Sequence, residues 1–237
     1  MSSDKTNLRN LKIAAFVSAA LHTLGAFAMA FVLSPGLLPR LLTPRMDYIR
    51  DNLLAWQGGW WLWVLSALTF LAFISYLRTY YKNLDVGNGN KKLLTWAFKL
   101  ATLAVCIDIF FELHQIFSVP DAIAEEHLDR KAFSCIQIGF EFFSGVIANL
   151  LYSSATIISV IVIRNFYPMW VNFLGWATGI IGVLASGTAL LVYIARVTDP
   201  ALVVNSILFP LLIFWQLGIA LKAKNNVKQQ LELEADA

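Results

Sequence analysis

Two carboxylates, an amide and an imidazole lie inside the apolar run CIDIFFELHQIF, residues 106–117. Asp108, Glu112 and Gln115 follow one another at i, i+4 and i+7 and so share one helical face, while His114 points away from it. An ionised acid at mid-membrane costs about 2.5–3.5 kcal/mol on an insertion scale, so a long apolar helix carries two of them only if they face protein. Acids in such a place do one of three things. They pair with a cationic or hydrogen-bonding ligand, exchange a proton with a lipid-soluble substrate, or hold helices in register.

Other residues could join them. Glu141, Gly145, Ala148, Tyr152 and Ser159 fall within about 40° of one another on an ideal helix, a stripe that alternates polar with small side chains. If the helices carrying residues 93–117 and 138–163 run in opposite directions, Glu112 and Glu141 come to similar depth. Gln57 enters near the same level from the preceding helix. The expectation is a polar pocket lined by Asp108, Glu112, Glu141, Gln57 and Tyr152, with at least one acid protonated at neutral pH because neighbouring carboxylates in low dielectric cannot all ionise cheaply. Glu112 and Glu141 are expected to meet and share that proton. His22 is the only deep imidazole and is the sixth candidate ligand-binding residue.

The elements that must position these groups are membrane helices. The chain has 237 residues, 58% hydrophobic and 14% charged, where soluble domains carry about 25% charged residues. A bilayer span needs roughly 20 apolar residues, and six segments qualify: 11–33, 56–77, 93–117, 138–163, 170–195 and 201–221. The fold class read from this is all-α, one integral membrane domain of six transmembrane helices over residues 1–237. The run at 11–33 continues past the small-residue triplet at 26–28, which suits an anchor better than a cleaved leader.

The net charge of +3 is no nucleic-acid signal once its distribution is seen. With the N-terminus inside, one face holds Lys5, Arg9, Lys12, Arg78, Lys82, Lys91, Lys92, Arg164, Lys222, Lys224 and Lys228. The other holds Arg40, Arg45, Arg50, Arg130, Lys131 and Arg196. That asymmetry places both termini in the cytoplasm and the acids in the outer half of the bilayer.

Between the spans, SPGLLPRLLTPRMDYIRDNLLAW reads as short turns along the interface, broken by its prolines. LDVGNGNKK reads as a reversing turn, and SVPDAIAEEHLDRKAF as a solvated cap. Trp56, Trp60, Trp61 and Trp63 read as an interfacial aromatic belt, the other reading being a flat wall beside a ligand. Gly175, Gly179, Gly182 and Ser186 form a small-residue stripe that permits close helix contact. Asn205 and Gln216 share a face across Pro210.

No cofactor is expected. His22 and His114 differ by roughly 10 Å in depth, too far for a shared haem. HExxH is absent, no mid-span lysine is placed for a retinal Schiff base, and Cys106 and Cys135 lack CxxC spacing. The expected partners are the lipid bilayer and a small lipophilic or cationic ligand, with no nucleic acid.

The stretches FYPMWVNFLGWATGIIGVLASG and LFPLLIFWQLGIALKAK resemble the closing two spans of a bacterial six-helix membrane family, known as domain of unknown function 4386. The matching residues are Pro168, Trp170, Gly175, Gly179, Pro210, Leu211 and Lys222, and Glu112 resembles a family position. Ile109 stands where the family has an arginine near that glutamate, and Gln216 where it has an acid. The resemblance implies six spans and a bacterial inner (plasma) membrane, and brings no known activity. The leading functional expectation is binding, and carriage, of a small lipophilic or cationic molecule at the acids. The alternatives are an acid/base enzyme of isomerase or cyclase type acting on a lipid-soluble substrate, and a structural subunit without a ligand.

Overall fold

A computed structural model of the chain describes residues 2–37, 42–82, 87–124, 130–195 and 201–223, and no strand occurs among them. Helix α1 (Ser2–Ala28) passes through a π-helical turn, Met29–Leu33, into α2 (Ser34–Leu37). Helix α3 (Leu42–Asp51) precedes α4 (Leu53–Lys82). Helix α5 (Asn88–Leu113) continues through a second π turn, His114–Ser118, into α6 (Val119–Ala124). Helix α7 (Arg130–Phe142) joins α8 (Asn149–Ile163) through a third, Phe143–Ala148. Helices α9 (Met169–Ala195) and α10 (Ala201–Lys222) complete the order.

Two of the π turns follow from proline chemistry. Proline has no N–H and its ring crowds the carbonyl four residues back, so the preceding turn widens. Pro35 follows the first π turn, where the Ser34 N–H reaches back to the Met29 carbonyl. Pro120 follows the second, where the Val119 N–H bonds the His114 carbonyl. Val119 is therefore lost as the usual partner of the Gln115 carbonyl, and Pro120 cannot serve that of Ile116. Helix α4 replaces both: Trp56 Nε1 donates to the Gln115 carbonyl at 2.8 Å and Gln57 Nε2 to that of Ile116 at 3.0 Å. Buried backbone acceptors in an apolar surround demand such partners.

The long helices pack in chain order, α1 on α4, α4 on α5, α5 on α8, α8 on α9 and α9 on α10, and α1 closes the ring against α10. Five helical runs are long and apolar enough to cross a bilayer: Lys5–Leu37, Leu53–Lys82, Asn88–Ile123, Phe133–Phe166 and Met169–Leu191. The described apolar part of α10, Ile207–Lys222, is shorter. Large apolar side chains such as Phe16, Phe31, Phe110, Phe173 and Phe214 cover the outside. A soluble protein could not present that surface.

Inside the ring, one apolar cluster fills the end holding the α4–α5 turn, around Phe73, Ile74, Leu77, Tyr81 and Trp215. That turn uses Gly87, whose φ of +78° suits glycine. A second cluster fills the opposite end, around Trp56, Trp60, Ile116 and Phe133. The segment read as interfacial turns instead carries α3, which lies on this second cluster and buries Met46 and Ile49. The third loop is shorter than expected, because α6 extends the helix and buries Val119 and Ile123; residues 125–129 lie outside the described set. The tryptophans are the larger correction. Trp56, Trp60 and Trp63 point into the bundle and only Trp61 is exposed, so three of the four are core, not belt.

The small-residue stripe of α9 meets α8. A Cβ at Gly179 would strike the Ile157 side chain, one at Gly182 the Ser153 hydroxyl, and one at Gly175 the side chains of Val160 and Trp215. Helix contact of this closeness is available only to glycine.

Candidate functional site

Between the two apolar clusters lies a layer of polar side chains. Asp108 and Glu112 sit one turn apart on α5, close enough to interact electrostatically. The Ser144 hydroxyl, from the third π turn, donates to Asp108 Oδ1. The Tyr152 hydroxyl, from α8, reaches the same carboxylate without the geometry of a formed hydrogen bond. Asp108 is half-buried, whereas Glu112 is 2% exposed and its Oε2 has no hydrogen-bond partner among the described residues.

A chain of amides leads from this pair toward α3. Gln115, one turn beyond Glu112, accepts through Oε1 from Gln137 Nε2 at 3.0 Å. Gln137 in turn accepts from Arg45 Nη2 at 3.3 Å. Arg45 Nε donates to the Gly36 carbonyl at 2.8 Å, and its guanidinium lies over the Phe133 ring at 5.6 Å. Burial pushes the Arg45 guanidinium below its ordinary value and the Glu141 carboxylate pulls it back. One cation thus ties α2, α3 and α7 together at the mouth of the bundle. Gln115 Nε2, fully buried, is left without an acceptor among the described residues, as are the Nε1 groups of Trp60 and Trp63.

The six sequence candidates separate into four groups. Asp108, Glu112 and Tyr152 come together as expected. Gln57 is committed to the Ile116 carbonyl and supports the helix instead of lining a pocket. His22 belongs to a different node on α1: its Nδ1 lies 2.7 Å from the Ser18 carbonyl, which can only accept, so Nδ1 carries a proton. Gln216 of α10 donates to the Ser18 hydroxyl at 3.0 Å. Phe70 stands between the nodes, edge-on to His22 at 6.3 Å and to Tyr152 at 5.3 Å.

Glu141 is the correction. It is exposed, its charge bears on Arg45, and the carboxylate that bears on Glu112 is that of Asp108. The expected Glu112–Glu141 pair is replaced by Asp108–Glu112. The cause is local: the π turn Phe143–Ala148 lies between Glu141 and Tyr152 and rotates one relative to the other, so they no longer share the face that an ideal helix gives them. The same rotation brings Ser144 onto Asp108. A lone serine in an apolar helix gives no sequence signal, and Ser144 was legible only from the structure. Gln137 and Arg45 were missed for a similar reason, since they act across helices that sequence does not pair.

Chemically, the pair can hold a proton, accept hydrogen bonds, or face a cation. Two carboxyls one turn apart in low dielectric are not both ionised cheaply. Hydroxyls of Ser144 and Tyr152 are placed to stabilise whichever form remains charged.

These features define an α-helical membrane bundle with an acidic pair, Glu112 buried and Asp108 half-buried, between its two apolar clusters. No known protein family, curated protein or solved structure matches the chain.

Proposed function

We propose that the protein is a six-span membrane protein that binds, and carries, a small lipophilic or cationic molecule at Asp108 and Glu112. The observation that carries this reading is Glu112, an acid 2% exposed with one oxygen unpartnered among the described residues, beside a second acid. A group of that kind destabilises the fold by itself, and intramembrane ionisable groups mark functional sites by default. The π turn Phe143–Ala148, which carries Ser144 onto Asp108, supports it, since such turns cluster at functional positions. In this reading α10 is the sixth span, both termini are cytoplasmic, and the membrane is a bacterial inner membrane. Membership of the domain of unknown function 4386 family belongs to the same reading, supported by Pro168 before α9, the close-packed glycines and Pro210 within α10.

The test uses purified protein in detergent, screened by thermal shift against tetraphenylphosphonium as a lipophilic cation and 1,4-naphthoquinone as a neutral lipid-soluble compound. At least one is expected to raise the melting temperature of the wild type, and the Asp108→Asn/Glu112→Gln double variant is expected to lose that response while remaining folded. If neither compound shifts the wild type, or the shift survives in the double variant, the acids only hold helices together.

A further inference from the structure

We infer that the ligand of the acidic pair is a neutral, lipid-soluble carbonyl compound of quinone type, admitted sideways from the bilayer between α5 and the third π turn. The inference rests on the binding role proposed above and narrows it to one chemistry and one route.

The unpartnered buried groups set the chemistry. A cation would be served by several unpartnered acceptors, whereas among the described residues α5 offers one such oxygen, Glu112 Oε2. At neighbouring levels, among the described residues, are buried donors without acceptors: Gln115 Nε2, Trp60 Nε1 and Trp63 Nε1, with the Tyr152 hydroxyl able to act either way. Their levels agree. The Trp56–Gln115 and Gln57–Ile116 hydrogen bonds fix the register of α4 against α5, which runs antiparallel. Trp60, one turn deeper than Trp56, therefore stands level with Glu112, and Trp63 stands level with Asp108. Trp60 also packs edge-on against Phe140 of α7 at 5.0 Å, so it faces the ring interior. Buried donors left without acceptors are destabilising. A carbonyl oxygen satisfies them, and a hydroxyl on the same molecule satisfies Glu112. Flat indole and phenyl faces at this level suit a planar ring.

The route is set by exposure. Asp108 is partly exposed, whereas Glu112, one turn away, is buried. Next to the Ser144 that bonds Asp108, a Cβ built on Gly145 would meet nothing within 4 Å among the described residues. Gly175, Gly179 and Gly182 have no such room. Phe111 and Phe143 stack at 5.2 Å across the same seam, one from α5 and one from the π turn. The seam is thus closed by aromatic rings at Phe111 and Phe143, with the partly exposed Asp108 carboxylate beside them. A molecule dissolved in the bilayer meets it directly.

The experiment places the full chain in nanodiscs of uncharged phosphatidylcholine and follows tryptophan quenching by 1,4-naphthoquinone. Saturable quenching is expected. Gln115→Leu and Glu112→Gln should each raise the midpoint about tenfold, the loss expected for one buried hydrogen bond. Gly145→Leu should slow association in stopped flow and leave the midpoint within twofold, because it narrows the seam without touching the binding groups. Gly145→Ala, which has room, serves if the leucine variant does not fold. Quenching that rises linearly as simple partitioning, or that is unchanged in Gln115→Leu and Glu112→Gln, overturns the quinone assignment. Association unchanged in both Gly145 variants overturns the lateral route. Saturable binding of tetraphenylphosphonium without naphthoquinone binding would sink this inference and leave the binding role standing; binding of neither would remove both.

Discussion

Replacing Glu112 by methionine is expected to make the protein more stable. Glu112 is 2% exposed and its Oε2 has no partner among the described residues. An unsatisfied buried polar group costs about 1–3 kcal/mol, and apolar replacement of buried ionisable groups is often neutral or stabilising by about 1–4 kcal/mol. Methionine keeps an unbranched chain of similar volume and adapts to irregular space, so little is lost to a cavity. The change also removes the carboxyl that bears on Asp108, leaving Asp108 with the Ser144 hydroxyl. Together these predict a gain of about 1–3 kcal/mol, or roughly 2–10 °C in a chain of this size. The assay is thermal unfolding in detergent followed by intrinsic fluorescence, for which the buried Trp56, Trp60 and Trp215 are reporters. A thiol-reactive dye is unsuitable, because Cys106 and Cys135 are exposed in the folded protein. The same variant should lose its response to ligand, a gain in stability at the expense of function. A fall of more than about 2 °C would mean that Glu112 makes a contact holding the bundle together, and the destabilised-site reasoning would be refuted.

Gly179→Leu should lower stability by about 1–3 kcal/mol through overpacking against Ile157, whereas Gly145→Ala should be close to neutral; equal melting temperatures for the two would mean that α9 does not lie against α8. Trp56→Phe leaves the Gln115 carbonyl without its donor and should cost about 1–3 kcal/mol, with faster hydrogen exchange confined to the His114–Ser118 turn; unchanged exchange would contradict the capping role. For topology, a cysteine introduced at position 127 should react with an impermeant thiol reagent in whole cells and one at 88 should not, in a background lacking the native cysteines. The reverse pattern would invert the proposed orientation.

The sequence by itself determined the class of protein. Apolar runs of this length have no stable alternative to membrane helices, because a bilayer leaves the backbone no other way to satisfy its hydrogen bonds. It also marked Asp108 and Glu112, since a one-turn spacing within an uninterrupted helix survives into three dimensions. The glycine stripe of α9 was legible for the same reason. The tertiary structure decided what lay beyond a π turn or across a helix pair. An ideal 3.6-residue wheel carried Glu141 onto the face of Tyr152, and the turn at Phe143–Ala148 took it off again. Pro120 was visible in the chain, but its consequence, two freed carbonyls that draw Trp56 and Gln57 out of any belt or pocket, needed α4 to be placed against α5. His22 and Gln216 met Ser18 only because α1 closes the ring on α10. Periodicity fixes which residues share a face of one regular helix. It cannot register a turn with an extra residue, and it does not say which faces meet.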